Sequence, residues 1–222
     1  MSIKKIIAFG SAKGGVGKSS ITASIGISLS KKYKVGILDA DIYGPNQDIL
    51  FSIDKKPEYS NKSNIKPIKK NNIKIMSMGF ILEQNKAATW RGPLLSNAIK
   101  QLIHSTKWGD LDYLLIDMPP GTGDAYLTVF KELSIDFFIL ISTPSDLSVA
   151  DSKRTLAMID KLNITTAGYI ENDLLNTGDS SKNKSLNIEK LGTFKFHKDI
   201  YDFNTDYNCN DADKISNKIE DM

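Results

Sequence analysis

Several features that identify particular classes of protein are scarce or absent in this sequence. Its 222 residues include one cysteine, Cys209, which excludes an intrachain disulfide and any metal site built from several cysteines of one chain. A membrane-spanning helix needs about 18 consecutive apolar residues, and every apolar stretch in this sequence is much shorter. The first residues also lack an Arg-rich presequence. The 29 basic and 26 acidic residues leave a net charge of +3, too small to indicate a nucleic acid or an anionic membrane as partner. We therefore expect a soluble, untargeted, cytoplasmic protein without a nucleic-acid or membrane partner.

Six short apolar runs alternate with helical patterns along the chain. Continuous runs rich in β-branched residues are typical of strands buried on both faces of a sheet. Ile21, Ile25 and Leu29 recur at helical spacing between the first two runs. This order predicts an α/β fold with a doubly wound, mostly parallel sheet, helices on both faces and ligands at the carboxyl ends of the strands. The runs are IIAFG from Ile6, VGILDA from Val35, IKIMSMGF from Ile73, DYLLIDM from Asp112, FFILIS from Phe137 and AGYIEN from Ala167.

Two segments depart from this alternation. Residues 52–72 are rich in Lys, Asn, Ser and Pro, and predict a long polar surface loop whose lysines could alternatively hold an anionic partner. Residues 173–222 form a polar, asparagine-rich C-terminal part, in which DADKISNKIEDM predicts at most a short amphipathic helix. Since no clear linker separates these segments from the rest, we expect residues 1–222 to form a single domain.

The stretch AKGGVGKSS, which begins at Ala12, joins the first predicted strand to the first predicted helix. Gly14, Gly15 and Gly17 would let successive backbone N–H groups approach a phosphate chain. Lys18 would reach the β- and γ-phosphates, and the hydroxyl of Ser19 would bind Mg²⁺. The alternative is a glycine-rich turn with incidental lysines, but its position between a strand and a helix favours a phosphate-binding loop.

Three aspartates follow or end two later predicted strands. Asp39 and Asp41 lie at the end of the strand from Val35, and Asp117 ends the strand from Asp112. In a parallel sheet these ends meet at the same edge as the glycine loop. One carboxylate there would hold Mg²⁺ through water and another would orient the attacking water, because phosphoryl transfer depends on positioning and charge neutralisation. Each aspartate could instead cap a helix or stabilise a turn.

These motifs together resemble a known family. The sequence is similar to the Mrp/ApbC/Nbp35 group of P-loop ATPases, iron–sulfur cluster carriers related to the MinD and ParA proteins. The resemblance extends from about Ile6 to Asn172, and DADIYGP together with DMPPGTGD is specific for this group. The motifs, in order, are AKGGVGKSS, LDADIYGPN, SMGF, WRGPLLSNAIKQLI, WGDLDYLLIDMPPGTGDAYLTV, TPSDLSVAD and GYIEN.

The resemblance implies a deviant Walker A site in an ATP-binding homodimer. Lys13 would reach the nucleotide of the other subunit, and Asp41 would position the hydrolytic water. Asp39 and Asp117 would support Mg²⁺ together with Ser19. Asn172 would recognise adenine through its amide; a solvated Lys13 and a turn role for Asn172 are the alternatives. The implied nucleotide-binding residues are Lys13, Gly14, Gly15, Val16, Gly17, Lys18, Ser19, Ser20 and Asn172.

One family feature is missing. Cluster-carrying relatives place a C-P-x-C segment after the asparagine motif, whereas this chain has ENDLLNTGDSSKNKS and no cysteine there. We therefore expect a slow, Mg²⁺-dependent dimeric ATPase of the iron–sulfur assembly type, with assembly or apo-client proteins as partners and without a stable [4Fe–4S] cluster. The rival hypotheses are a positioning ATPase of the MinD or ParA type and a nucleotide-binding interaction protein without turnover.

Overall fold

The computed structural model describes residues 2–61, 64–81, 93–196 and 209–222. In this part of the chain strands and helices alternate, as the apolar runs predict. The strands are β1 (Ile3–Gly10), β2 (Val35–Asp39), β3 (Tyr59–Asn61), β4 (Asn64–Ile65), β5 (Ile68–Lys70), β6 (Ile73–Ser77), β7 (Leu111–Asp117), β8 (Phe137–Ser142), β9 (Thr166–Asp173) and β10 (Lys190–Lys195). The helices are α1 (Lys18–Ser30), α2 (Gln47–Leu50), α3 (Pro93–Ser105), α4 (Asp124–Glu132), α5 (Asp146–Lys161) and α6 (Asn210–Glu220).

Eight strands form one sheet in the order β10-β9-β8-β1-β7-β2-β6-β5. All neighbouring pairs are parallel except β5 and β6, which are antiparallel. Each of the six predicted runs is a strand, which confirms the doubly wound, mostly parallel sheet. Strand β1 lies between β7 and β8, so the glycine loop that follows it opens near the middle of the sheet.

The sheet separates two apolar cores, and successive residues of β1 enter them alternately. Ala8 packs in the core shared with α3, α4 and α5. Ile7 and Phe9 pack in the other core, with α1 and α6. Strand side chains point to opposite faces in turn, so a strand covered by helices on both sides must be apolar throughout. This is why the central strands are continuous apolar runs in the sequence.

The prediction of a long polar loop at residues 52–72 is wrong in part. Strands β3 and β4 form a short antiparallel hairpin, and β5 pairs with β6 at the edge of the main sheet. Two buried isoleucines, Ile65 and Ile68, anchor these strands among exposed polar residues. These short strands contain only two buried apolar positions, which are difficult to recognise in the sequence among the surrounding lysines and asparagines.

The C-terminal part is more ordered than its composition suggests. Helix α6 confirms the short amphipathic helix, and strand β10, which was not among the six predicted strands, extends the sheet. Asp213 of α6 accepts a hydrogen bond from Ser28 of α1 at 2.5 Å and forms an ion pair with Lys31 at 2.9 Å. The apolar side of α6, which includes Ile215 and Ile219, packs in the same core as Leu191 and Phe194 of β10. Trp90 and Arg91 of the WRGP motif lie outside the described residues.

Candidate functional site

Three strands bring the predicted site to one edge of the sheet. In the parallel ladders Phe9 pairs with Asp117, and Asp117 pairs with Asp39. These three residues form one row across β1, β7 and β2, so the loops that follow them open side by side. The glycine loop and the strand-end aspartates therefore meet where a parallel sheet is expected to bind its ligand.

A cavity of about 330 Å³ opens at this edge. The glycine loop and the first residues of α1 form its floor, and Asp41 and Pro120 contribute from the loops after β2 and β7. Of the predicted nucleotide-binding residues, all but Val16 and Asn172 line it. The complete lining is Ser11, Lys13, Gly14, Gly15, Gly17, Lys18, Ser19, Ser20, Asp41, Asn46, Ile49, Leu50 and Pro120.

Asn172 supports the glycine loop from behind. Its Nδ2 donates a hydrogen bond to the carbonyl oxygen of Val16 at 2.8 Å, and the side chain is buried. Gly17, in the left-handed region with φ of 83°, packs on the same amide: a Cβ built there would lie 2.3 Å from Asn172 Nδ2. Only glycine fits this position. Recognition of adenine by Asn172 stays a prediction.

Lys18 forms a buried ion pair with Asp117. Its Nζ donates a hydrogen bond to Asp117 Oδ1, and both side chains are buried. Burial opposes the charge of Lys18, but the charge and hydrogen bond of Asp117 outweigh it and raise the pKa of the lysine above its ordinary value. Lys18 is therefore held as a cation at the floor of the cavity, with the carboxylate of Asp117 as its partner.

Asp39 is fully buried beside this ion pair. Its Oδ2 accepts hydrogen bonds from the backbone N–H groups of Asn46 and Gln47 and from Ser77 Oγ, at 2.9, 3.0 and 3.1 Å. Burial, followed by the neighbouring negative charge of Asp117, raises the pKa of Asp39 to about 7. The carboxyl group is held in position by these three donors, and burial together with the nearby charge of Asp117 disfavours its ionisation.

Asp41 is the second residue after β2 and lines the cavity. The backbone N–H groups of Tyr43 and Gly44 both donate to its Oδ1, at 3.0 and 3.1 Å. Burial raises the pKa of this carboxyl group. The turn role anticipated as an alternative is therefore present, and it uses one carboxylate oxygen.

Gln47, at the start of α2, is part of the site and was not predicted. Its Nε2 donates to the carbonyl oxygen of Ser19 at 3.0 Å and to Asp117 Oδ2 at 2.9 Å. Its partners lie 28 and 70 residues away along the chain. Nothing in the local sequence indicates this role, because only the folded sheet brings α2 beside α1 and β7.

Lys13 lies at the rim of the cavity and is 41% exposed. Its Nζ forms an ion pair with Asp151 of α5 at 2.9 Å. The hydrogen bond and charge of Lys13 lower the pKa of Asp151. Lys13 therefore does not reach its own subunit's loop floor as Lys18 does, and its role across a dimer stays a prediction.

Cys209 is 6% exposed and is the N-cap residue of α6. Its Sγ accepts a hydrogen bond from the backbone N–H of Ala212 at 3.4 Å. Burial raises the pKa of the thiol, which disfavours the thiolate that binds metals. Among the described residues there is no cluster of three or more His, Cys, Asp or Glu side chains that could hold a metal ion by themselves.

Curated relatives of the chain are named for iron–sulfur proteins. The iron-sulfur cluster carrier protein of Rickettsia conorii is 46% identical over 171 residues, which cover 77% of this chain and 53% of that protein. The iron-sulfur protein required for NADH dehydrogenase, mitochondrial, of Arabidopsis thaliana is 40% identical over 172 residues, 77% of this chain and 55% of that protein. The chain thus spans about half the length of the curated relatives that it matches.

Solved structures match nearly the whole chain. A nucleotide-binding protein from Archaeoglobus fulgidus, in complex with ADP, has a TM-score of 0.75 and 30% identity, and the match covers 97% of this chain and 89% of that one. The cell division ATPase MinD of Pyrococcus furiosus has a TM-score of 0.76 at 18% identity, covering 99% of both chains, and shows the shared fold alone.

The family match is equally extensive. Residues 2–201 match the family described as ParA: NUBPL iron-transfer P-loop NTPase. The matched range begins before β1 and ends beyond β10, so it includes every strand of the sheet and the entire cavity. The chain therefore belongs to the ParA/NUBPL family of iron-transfer P-loop NTPases.

Proposed function

We propose that this protein binds Mg·ATP as a homodimer and hydrolyses it slowly in iron–sulfur cluster assembly, without holding a cluster itself. The observation that carries the proposal is the cavity in which Lys18, Ser19 and Asp41 face the space above the glycine loop. Backbone N–H groups at the start of a helix, one lysine and strand-end carboxylates are the parts that position a nucleotide for phosphoryl transfer. The relatives' names supply the link to iron–sulfur clusters.

Nucleotide binding would exchange the partner of Lys18. In the structure this lysine contacts Asp117, and in the proposed complex it turns to the β- and γ-phosphates, which carry more negative charge than one carboxylate. Asn172 would keep its hydrogen bond to Val16, so its Oδ1 is the atom available to the adenine amino group. Ser20 and the loop N–H groups complete the phosphate contacts.

The residues of the site fit magnesium. Ser19, whose hydroxyl is a hard oxygen group, lines the cavity, and the carboxylates of Asp39 and Asp117 lie buried behind the lining. Mg²⁺ prefers such oxygen groups, and these residues would hold it directly or through water. When bound, the ion neutralises charge on the phosphates. Asp39, Asp41 and Asp117 outnumber Lys18 in this buried region, so an added cation also relieves repulsion among the carboxylates.

Asp41→Asn tests the proposed turnover. The asparagine keeps an Oδ1 that can accept from Tyr43 and Gly44, so the turn should persist and Mg·ATP should bind with near wild-type affinity. Loss of the charge that orients the attacking water should lower kcat about 100-fold or more. Phosphate release under single-turnover conditions and calorimetric titration with ATP measure the two effects.

The matched control is Asp54→Asn, which removes an exposed carboxylate outside the cavity and should change neither quantity. Wild-type turnover in Asp41→Asn would refute the assignment of the water-positioning residue. Absence of turnover in the wild-type protein would favour the rival of a nucleotide-binding protein without catalysis.

The edge that carries the cavity also supports the homodimer. Several large apolar side chains are exposed there, beyond the carboxyl ends of β2, β8 and β9. Lys13 and Ile49 line the cavity, the other four residues follow the same strand ends, and large exposed apolar side chains grouped in this way favour an interface. A second copy facing this edge would cover them and bring its own Lys13 to the nucleotide. The residues are Tyr43, Ile49, Leu147, Leu174 and Leu175.

Lys13→Ala tests the shared site. We expect the variant to stay folded but to lose nucleotide-dependent dimerisation and turnover together, because the γ-phosphate of the partner subunit loses a neutralising charge. Multi-angle light scattering with a slowly hydrolysed ATP analogue measures the mass. The control is Lys4→Ala, which removes another exposed lysine from an aspartate ion pair, at 2.8 Å from Asp112, on the opposite edge of the sheet. A mass that depends neither on nucleotide nor on Lys13 would contradict the model.

The remaining partners and the compartment are also proposals. Iron–sulfur assembly or apo-client proteins are the proposed protein partners, and the cytoplasm is the proposed compartment, although the Arabidopsis relative is named as mitochondrial. No helix in the described ranges is long and apolar enough to cross a membrane. The apolar side of α6 is already covered by α1 and β10, which supports a protein that does not use this helix on a membrane surface.

A further inference from the structure

Gln47 joins the two proposed magnesium-binding elements. Its side chain is fully buried, with 0% exposure. Nε2 donates one hydrogen bond to the carbonyl oxygen of Ser19, whose hydroxyl is a proposed magnesium ligand, and another to Asp117 Oδ2. A single amide thus fixes the distance between the start of α1 and the end of β7.

The other end of this amide has no partner. Among the described residues, Gln47 Oε1 is buried and accepts no hydrogen bond. An unsatisfied buried acceptor lowers the free energy of unfolding by about 1–3 kcal/mol. We therefore expect a donor to reach Oε1 when the protein is bound to its ligands. Because Nε2 contacts Ser19 and Asp117, Oε1 belongs to the same small region as the proposed magnesium ligands. Water that enters with a hydrated cation would supply such a donor, whereas an ionised carboxylate only accepts hydrogen bonds.

Nucleotide binding would increase the importance of Gln47. The hydrogen bonds shown for the Asp117 carboxylate come from Lys18 and Gln47. When Lys18 turns to the phosphates, Gln47 remains as the donor that holds Asp117. The backbone N–H of Gln47 also donates to Asp39 Oδ2, so one residue orients both strand-end carboxylates.

We propose that Gln47 is a positioning residue of the magnesium site: its Nε2 holds the Ser19 backbone and Asp117 in place behind the cavity lining, and its unpartnered Oε1 is the acceptor that a water entering with the ion would use. The inference rests on the proposed Mg·ATP function and adds a residue that acts on the ion through its neighbours. Gln47 does not line the cavity, so its removal should affect the magnesium dependence of binding and leave the magnesium-free affinity unchanged.

Gln47→Met tests this role, because methionine has a similar length and no hydrogen-bonding amide. ADP affinity is measured by calorimetry across a range of Mg²⁺ concentrations and in EDTA. The Mg²⁺ concentration that gives half of the affinity gain should rise about 10–100-fold, as for other residues that orient metal ligands. ADP affinity in EDTA should stay within about twofold of wild type, since the loop and Lys18 are intact. Gln101→Met, on the exposed side of α3, is the matched control.

Two outcomes overturn the inference. One is a wild-type magnesium requirement in Gln47→Met; the other is an equal loss of ADP affinity with and without Mg²⁺, which indicates a structural role alone. Gln47→Asn is the second variant if Gln47→Met does not fold. Its amide is one methylene shorter and cannot reach both partners, so its magnesium requirement should also rise, and a wild-type value there overturns the inference. Wild-type protein without magnesium-dependent ADP binding would instead refute the proposed function.

Discussion

Replacing Lys18 by alanine should abolish tight binding of Mg·ATP. Lys18 is the buried cation at the floor of the cavity, and it would contact the β- and γ-phosphates. Charge-assisted hydrogen bonds contribute about 1.5–3 kcal/mol each, so loss of the ammonium group should raise the Kd about 100-fold or more. Calorimetric titration with ATP and Mg²⁺ measures this change.

The same substitution also affects the nucleotide-free protein, because it removes one partner of a buried ion pair. Asp117 would keep Gln47 but lose its cation, which should lower the free energy of unfolding by about 3 kcal/mol. Urea unfolding without nucleotide therefore has to accompany the titration, so that weak binding is not mistaken for unfolded protein. Lys153→Ala, an exposed lysine of α5, should change neither quantity. Wild-type Mg·ATP affinity in a folded Lys18→Ala protein would show that Lys18 does not contact the phosphates.

The main sheet could be predicted because burial on both faces leaves a clear pattern. β7 is apolar at Leu114, Leu115 and Ile116 since helices cover both sides of the sheet, and it ends at the buried Asp117, beside the cavity. The glycine loop was equally clear, because a left-handed Gly17 packed on Asn172 allows no side chain. Requirements of this kind depend on neighbouring residues in the chain, so they can be predicted from the local sequence.

Contacts between distant segments could not be predicted in the same way. The roles of Gln47 and of the ion pair between Lys13 and Asp151 depend on which loops the folded sheet brings together. Strand β5 was missed for a related reason: Ile68 is buried only because β6 lies beside it, while the two lysines that follow give the segment the composition of a loop. The positions of Asp39, Asp41 and Asp117 follow from the predicted sheet, whereas their hydrogen-bond partners follow from the fold.

Anaerobic reconstitution with iron and sulfide should leave this chain without a stable [4Fe–4S] cluster. Such clusters normally take four cysteine thiolates, which a symmetric dimer supplies as two from each subunit. Each copy of this chain offers Cys209 alone. In the structure that thiol is buried, caps α6 and has a raised pKa, so it is not available as an exposed thiolate. The residues present therefore do not fit the cluster.

Two carboxylates lie near the segment in which cluster-carrying relatives have cysteines, but they do not replace the missing thiolates. Asp173 accepts hydrogen bonds from the backbone N–H groups of Thr177 and Gly178, and Asp179 accepts one from Ser181, so both stabilise turns. Hard oxygen ligands are also poor substitutes for thiolates on iron–sulfur clusters. After desalting, we expect iron well below the about four atoms per dimer of a complete cluster, and the same value in Cys209→Ser. About four irons per dimer, with a visible charge-transfer band that disappears in Cys209→Ser, would contradict this prediction and indicate that α6 releases its cap to let Cys209 bind the cluster.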